Sequence, residues 1–196
     1  MALKLAFGIS TRSIYENEAE FWRSRPGFAE LLGETEEASS LPQKDIDIVK
    51  THDGPEDSGP AIYVIRDGRS AIVSHYHYIQ NVSKEPADIR DIICGKVWPM
   101  GWSQHVTTWD PMKRKDTIII KYEDMLQDLP NVMIKIGDFI KRDVISMPDL
   151  EFSRLNSLFP EFFNVGRNNK SAAELADHID LFWDKHGETM QVFGYE

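Results

Sequence analysis

Short apolar runs alternate along the chain with segments of helical spacing. Runs rich in β-branched and aromatic residues occupy Asp45–Lys50, Ala61–Ile65 and Thr117–Tyr122. Runs of this length, bounded by polar turn residues, predict buried strands of a parallel sheet. Between them, apolar residues recur three or four positions apart, which predicts amphipathic helices. The alternation predicts an α/β fold, a single domain over residues 1–196 with a central parallel sheet between helical layers.

The helical spacing is well defined after Asp67, where Ile72, Tyr76 and Ile79 fall on one face. Asp67 itself is a good N-cap for this helix, because its carboxylate can accept unpaired N–H groups of the first turn. The other predicted helices are Pro86–Ile93, Trp102–Trp109, Pro130–Arg142 and a C-terminal helix with Phe182, His186 and Met190 on its apolar face.

The N-terminal part of the chain gives weaker patterns. Met1–Phe7 contains strong helix formers without a capping residue before them, so the sequence is expected to begin inside a helix. The segment Ser10–Gly33 is interpreted as irregular helix and loop, because its apolar residues cluster around a Pro-Gly pair.

The turn after Ala61–Ile65 carries the first candidate chemistry. It places Arg66 and Arg69 beside a helix N-terminus, where unpaired N–H groups and the helix dipole favour an anion. Ser74 follows Arg66 by two helical turns, so its hydroxyl could contact the same anion. Arginine donates bidentate hydrogen bonds to phosphate oxygens, which favours a phosphate site. The alternative is an ordinary strand-turn-helix unit whose arginines are solvated.

A second candidate site follows the first strand. Lys50 and His52 stand at its carboxyl end, and ligands of open α/β sheets bind outside the carboxyl ends of the strands. The alternative is that these two residues are polar side chains at a strand end without a chemical role. A third candidate pairs His75 with His77 as metal ligands, but residues two apart on a helix point in different directions, which disfavours it.

Composition narrows the possible functions. The formal net charge is -10, which argues against nucleic-acid binding. No apolar run approaches the roughly 20 residues that span a bilayer, so no membrane segment is predicted. Cys94 is the only cysteine, which excludes an internal disulfide and favours a cytoplasmic location. We interpret its side chain as a buried thiol.

The motifs, taken in order, resemble those of the sulfotransferases that use 3′-phosphoadenosine 5′-phosphosulfate. Arg66 and Ser74 resemble the pair that binds the 3′-phosphate, and Lys50-Thr51-His52 is similar to the strand end that carries the family's catalytic histidine. The segment Ile118–Met125 resembles the family's strand ending in Tyr-Glu-Asp. The resemblance implies a P-loop-NTPase-like sulfotransferase fold and covers most of the chain from residue 46 onward.

The resemblance also implies roles. His52 would be the general base, Lys50 would offset charge on the transferring group, and Tyr122 would lie near the adenine. Gly166 and Arg167 fall in the loop that closes over the 3′-phosphate, although the family's basic pair is absent there. The donor would be 3′-phosphoadenosine 5′-phosphosulfate, with no metal, and the acceptor a small molecule or glycan with a hydroxyl or amine group. Neither the acceptor nor the oligomeric state can be inferred from the sequence.

A larger departure from the family than the missing basic pair concerns the first strand and the phosphate-binding loop. The sequence has no first strand followed by a glycine-rich loop with a lysine, the loop that holds the 5′-phosphosulfate in the family. We therefore expect Met1 to be an internal methionine of a longer protein. The alternative function is a catalytically inactive nucleotide-binding relic or fragment.

Overall fold

In the computed structural model, which describes residues 2–15, 47–148, 157 and 173–196, parallel strands are joined by helices. Strands β1 (Ser10–Ser13) and β2 (Asp47–Lys50) form one parallel pair. Strands β3 (Ala61–Ile65) and β4 (Thr117–Lys121) form another. The predicted α/β class with parallel strands is confirmed, and among the described residues the strands form these two separate pairs.

Seven helices whose bounds lie within the described ranges accompany these strands. They are α1 (Ala2–Phe7), α2 (Gly68–Tyr78), α3 (Ile89–Ile93), α4 (Trp102–Trp109), α5 (Tyr122–Gln127), α6 (Leu129–Ile140) and α7 (Ile179–Val192). A π-helical turn, Ile79–Ser83, follows α2, and a 3₁₀ turn, Ala176–His178, precedes α7. Within the same ranges, none of the helices is both long enough and apolar enough to traverse a lipid bilayer.

The chain divides into two compact units. Met1–His52 and Asp124–Glu151 form the first, and Asp53–Glu123 and Phe152–Glu196 form the second. In the first unit, α1 and α6 bury their apolar faces, with Met133 fully inaccessible to solvent. A Cβ atom on Gly137 would lie 3.1 Å from the Phe7 ring, so glycine allows these helices to approach closely.

The second unit has its own apolar core. Phe182 and Met190 of α7 are fully buried, and Ile93 and Ile65 are almost so. Ile72 and Val73 present the buried face of α2 to the same cluster. The expected helices over Trp102–Trp109 and at the C-terminal end are therefore confirmed, together with their inward faces.

Strand β1 corrects the interpretation of Ser10–Gly33 as irregular helix and loop. Ser10–Ser13 pairs with β2 in parallel register, from Ser10 opposite Asp47 to Ser13 opposite Lys50. This polar strand has no alternating pattern, so its pairing with a neighbouring strand decides its conformation. The rest of that segment after Tyr15 lies outside the described residues, as do Asp45 and Ile46 of the predicted first strand.

Three local predictions were also wrong. Helix α3 begins at Ile89 rather than Pro86, because Asp88 caps it by accepting a hydrogen bond from the Arg90 amide. Tyr122 begins α5 instead of ending β4. Cys94 is exposed rather than buried, because it follows the last residue of α3 and lies outside the apolar face formed by Ile89, Ile92 and Ile93.

His186 is a core histidine, whereas the sequence left open whether it lies in the core or on the helix surface. Its Nε2 lies 3.0 Å from the carbonyl oxygen of Ile93, and its Nδ1 lies 2.8 Å from the hydroxyl of Ser103. Because a carbonyl only accepts, Nε2 carries the proton and the neutral Nδ1 accepts from Ser103. Burial lowers the pKa of His186, opposed by the bond to Ile93 and assisted by the nearby charge of Lys185.

This burial predicts an acid-labile fold. Because the folded pKa lies below the unfolded value of about 6.5, the unfolded chain binds more protons at acidic pH. Stability should therefore fall below pH about 6.5, by at most about 1.4 kcal/mol per pH unit for this group. His186→Gln should reduce that slope in thermal unfolding measured from pH 7.5 to 5.5, leaving the share of His75, whose pKa burial also lowers. Equal slopes for both proteins would contradict the prediction.

Candidate active site

The N-terminus of α2 lies directly after β3 and is capped by Asp67. The Asp67 carboxylate accepts a hydrogen bond from the Arg69 amide at 2.8 Å, which confirms the predicted N-cap. The same carboxylate pairs with the Arg69 guanidinium at 2.7 Å, and this pairing raises the pKa of Arg69. The charge of Arg69 is therefore compensated locally, and Arg66 is the better candidate for holding an anion.

Arg66 and Tyr122 come together where the two strands end. Ile65 is opposite Lys121 in the last register pair of β3 and β4, and Arg66 and Tyr122 are the residues that follow. The guanidinium carbon of Arg66 lies 4.7 Å from the centroid of the Tyr122 ring, a cation–π contact. Among the described residues, Arg66 has no carboxylate partner. Its cation is thus oriented by an aromatic ring instead of being neutralised.

The backbone at this turn is held by a side chain of α5, the helix that follows the neighbouring strand. The Asp67 amide donates to Oε1 of Glu123 at 3.0 Å, and the Tyr195 hydroxyl donates to Oε2 of the same carboxylate at 2.9 Å. Sequence reasoning did not identify Glu123 or Tyr195 as part of the site. The two residues are far apart in sequence, and no spacing pattern links them.

Helix α2 presents its polar groups near this turn. Ser74 is exposed, whereas Ser70, one turn earlier, is 8% exposed. The amides of Gly68 and Ser70 have no hydrogen-bond partner within the described part of the chain. A Cβ atom on Gly68 would lie 3.0 Å from the Trp102 ring, so this position requires glycine for close packing. Helix N-terminal amides that have no partner in the described ranges, an arginine and an exposed hydroxyl form a donor set suited to phosphate.

Lys50 and His52 lie in the first unit, at the carboxyl end of β2, and both are exposed. The His52 amide donates to the Tyr15 hydroxyl at 2.8 Å, and the two rings stack with centroids 5.9 Å apart and an interplanar angle of 13°. Tyr15 was not singled out from the sequence. It follows β1, and the parallel pairing of β1 with β2 brings it beside His52.

The remaining candidates have different outcomes. Gly166 and Arg167 lie outside the described residues. His77 pairs with Glu174 at 2.8 Å across the second unit, so its imidazole faces a carboxylate. Within the described ranges, no group of three or more His, Cys, Asp or Glu side chains is arranged to hold a metal ion.

Comparison with known proteins gives consistent results. Residues 57–186 match the model of the sulfotransferase domain. Sulfotransferase 2B1 of Homo sapiens is 36% identical over 88 residues, which are 41% of this chain and 24% of that protein. The 3-alpha-hydroxysteroid sulfotransferase of Cavia porcellus is 30% identical over 86 residues, which are 40% of this chain and 30% of that protein. The matched segments thus span less than a third of the length of these relatives.

The fold also has a solved counterpart. The crystal structure of a mouse sulfotransferase complexed with PAP superposes with a TM-score of 0.59 at 20% identity, covering 90% of this chain and 83% of that one. At this identity the likeness concerns the fold alone, and it confirms the fold expected from the sequence motifs. The region that matches the domain model contains Arg66, Ser74 and Tyr122 and begins after Lys50 and His52.

Proposed function

Because the chain belongs to the sulfotransferase family, we propose that it binds 3′-phosphoadenosine 5′-phosphosulfate and takes part in transferring the sulfuryl group to a hydroxyl or amine. The observation that carries the proposal is the Arg66 guanidinium, held 4.7 Å from the Tyr122 ring and without a carboxylate partner in the described ranges. An uncompensated arginine beside a helix N-terminus is a site for an anion.

In this proposal, Arg66 and Ser74 bind the 3′-phosphate of the nucleotide. The amides of Gly68 and Ser70, which have no partner among the described residues, add donors to the same anion, and the α2 dipole favours its charge. The face of the Tyr122 ring that is not covered by Arg66 would contact the adenine. We assign Gly166 and Arg167 to a loop that closes over the same phosphate on the basis of the family resemblance alone.

His52 and Lys50 carry the chemistry in this proposal. The nucleotide supplies the sulfuryl group, and the acceptor oxygen or nitrogen displaces the nucleotide phosphate from sulfur. The imidazole of His52 takes the proton that the acceptor loses, and the ammonium of Lys50 offsets the negative charge that develops during transfer. Tyr15 holds the His52 backbone and stacks on its ring, which limits the orientations that the imidazole can adopt.

Two further parts of the proposal concern the acceptor and the compartment. We assign the acceptor to small molecules or glycans that carry a hydroxyl or amine, because the family transfers to such groups. We place the protein in the cytoplasm, because its single cysteine, Cys94, is exposed as a thiol and would be exposed to oxidation in a secretory compartment. Cell fractionation tests the second assignment.

A second candidate function is nucleotide binding without transfer. The match to the domain model includes the residues assigned to the nucleotide but begins after His52. The binding role therefore has support that the chemical role lacks. The two candidates predict the same nucleotide affinity and differ in turnover.

Titration calorimetry tests the proposal directly. The protein should bind adenosine 3′,5′-bisphosphate at least about tenfold more tightly than adenosine 5′-phosphate, because a bound phosphate gains charge-assisted hydrogen bonds. Equal affinities would contradict the 3′-phosphate site. Incubation with 3′-phosphoadenosine 5′-phosphosulfate and a panel of phenols, alcohols and amines then separates the candidates. Selective binding without a sulfated product favours the second one.

A further inference from the structure

The carboxylate of Glu123 occupies an unusual position, because it lies beside a turn that is proposed to bind an anion. Both of its oxygens have hydrogen-bond donors: Oε1 accepts from the Asp67 amide and Oε2 from the Tyr195 hydroxyl. The residue is therefore fixed at both ends, with one bond to the turn and one to the C-terminal segment. A carboxylate repels a nearby anion, so its presence here calls for another explanation. Its two hydrogen bonds suggest that it holds the turn in position.

The bond to Asp67 acts on the residue that precedes it. The Asp67 nitrogen belongs to the peptide group that also contains the Arg66 carbonyl, and this group is planar. The hydrogen bond from the Asp67 N–H to Glu123 therefore fixes the orientation of the peptide group between Arg66 and Asp67. The ladder between β3 and β4 ends at Ile65 and Lys121, so the Glu123 side chain continues the pairing one step beyond the strands.

The backbone conformation after α7 brings Tyr195 beside Glu123. Gly194 adopts a positive φ of 68°, which a glycine accepts without strain, and the Tyr195 amide then donates to the Met190 carbonyl at 2.9 Å. The Tyr195 side chain is 8% exposed, and the ammonium of Lys121 lies 4.7 Å from its ring centroid. The same ammonium donates to the Phe193 carbonyl at 2.6 Å, so β4 and the end of α7 are joined at several points.

We propose that Tyr195 and Glu123 are positioning residues that orient Arg66 toward the 3′-phosphate of the nucleotide. The Tyr195 hydroxyl holds Glu123, Glu123 holds the Arg66–Asp67 peptide, and the neighbouring Tyr122 ring holds the guanidinium. The inference rests on the proposed function, because it concerns the same nucleotide site. The inference therefore makes the C-terminal segment that contains Tyr195 contribute to selectivity for the 3′-phosphate.

The test uses the ratio of two dissociation constants, that of adenosine 5′-phosphate divided by that of adenosine 3′,5′-bisphosphate. Only the second ligand has the 3′-phosphate, so the ratio isolates the contribution of this group. Tyr195→Phe removes one hydrogen bond to a charged acceptor and should lower the ratio about threefold. Glu123→Ala removes both bonds and should lower it about tenfold.

Two control variants distinguish positioning from general loosening. Glu123→Gln keeps an oxygen for the Asp67 amide and an amide group for the Tyr195 hydroxyl, so it should preserve most of the ratio. Tyr76→Phe removes a hydroxyl of α2 that accepts from Gln80 in the following π-helical turn, and it should leave the ratio unchanged. Thermal unfolding without nucleotide shows which variants fold, and Tyr195→Phe decides the test if Glu123→Ala does not fold.

Each outcome has a defined meaning. A lower ratio in Tyr195→Phe, with the ratio kept in Glu123→Gln and Tyr76→Phe, supports the inference. An unchanged ratio in Tyr195→Phe, or an equal loss of affinity for both nucleotides, overturns it while leaving the proposed function intact. If the unmodified protein itself shows no preference for the 3′-phosphate, the proposed function fails and this inference fails with it.

Discussion

His52→Ala should lower the rate of sulfuryl transfer by about 10²–10⁴-fold, the contribution usual for a positioned general base. The imidazole is exposed at the end of β2, and its orientation is restricted by the stacked ring of Tyr15. Alanine removes the group that takes the acceptor proton but leaves Arg66, Ser74 and Tyr122 in place. The affinity for adenosine 3′,5′-bisphosphate should therefore change by less than about twofold. Single-turnover transfer and calorimetry measure the two quantities separately.

A second histidine provides the matched control for this variant. His178 precedes α7 and makes no side-chain capping hydrogen bond, so His178→Ala should leave the transfer rate unchanged. Tyr15→Phe gives a finer test, because it keeps the stacked ring and removes the hydroxyl that accepts from the His52 amide. Undiminished transfer in His52→Ala would remove this residue from the mechanism, whatever the result for nucleotide binding.

The sequence predicts those parts of the fold that are marked by a local residue pattern. Ala61–Ile65 is a strand with the predicted bounds, because a run of β-branched and aromatic residues identifies it locally. The Trp102–Trp109 helix is likewise found where its apolar spacing places it. The pairing of Arg66 with Tyr122 could be anticipated only in part, through the residue order of a known family. The strand and the helix are specified by neighbouring residues, so local patterns suffice to predict them.

The parts that the sequence does not predict depend on distant partners. Ser10–Ser13 is a strand because β2 pairs with it, and its own residues show no apolar alternation that would predict one. Tyr15 contacts His52 only through that pairing. Glu123 and Tyr195 meet because Gly194, two residues after α7, adopts a positive φ, and no spacing between them signals the contact. Long-range contacts of this kind determine the details of the site, while the local patterns determine its location.

Arg66→Ala should raise the dissociation constant of adenosine 3′,5′-bisphosphate by about 30–100-fold, equivalent to about 2–3 kcal/mol for lost charge-assisted hydrogen bonds. The affinity for adenosine 5′-phosphate should fall much less, because that ligand lacks the group that Arg66 is proposed to bind. Arg66→Lys should give an intermediate loss. A lysine keeps the positive charge but cannot donate a bidentate pair, and it has no planar group to lie on the Tyr122 ring. Calorimetry with both nucleotides measures these differences.

Arg90→Ala controls for the loss of one positive charge in the same unit. Arg90 is exposed on α3, so its removal changes the net charge of the unit without changing the turn after β3. A similar loss of affinity in both alanine variants would mean that the nucleotide responds to the general field of the protein, and raising the salt concentration should then abolish the difference from the unmodified protein. A loss confined to Arg66→Ala, and confined to the ligand with the 3′-phosphate, requires direct contact. It would place the phosphate between the Arg66 guanidinium and the first turn of α2, where the amides of Gly68 and Ser70 have no partner within the described residues.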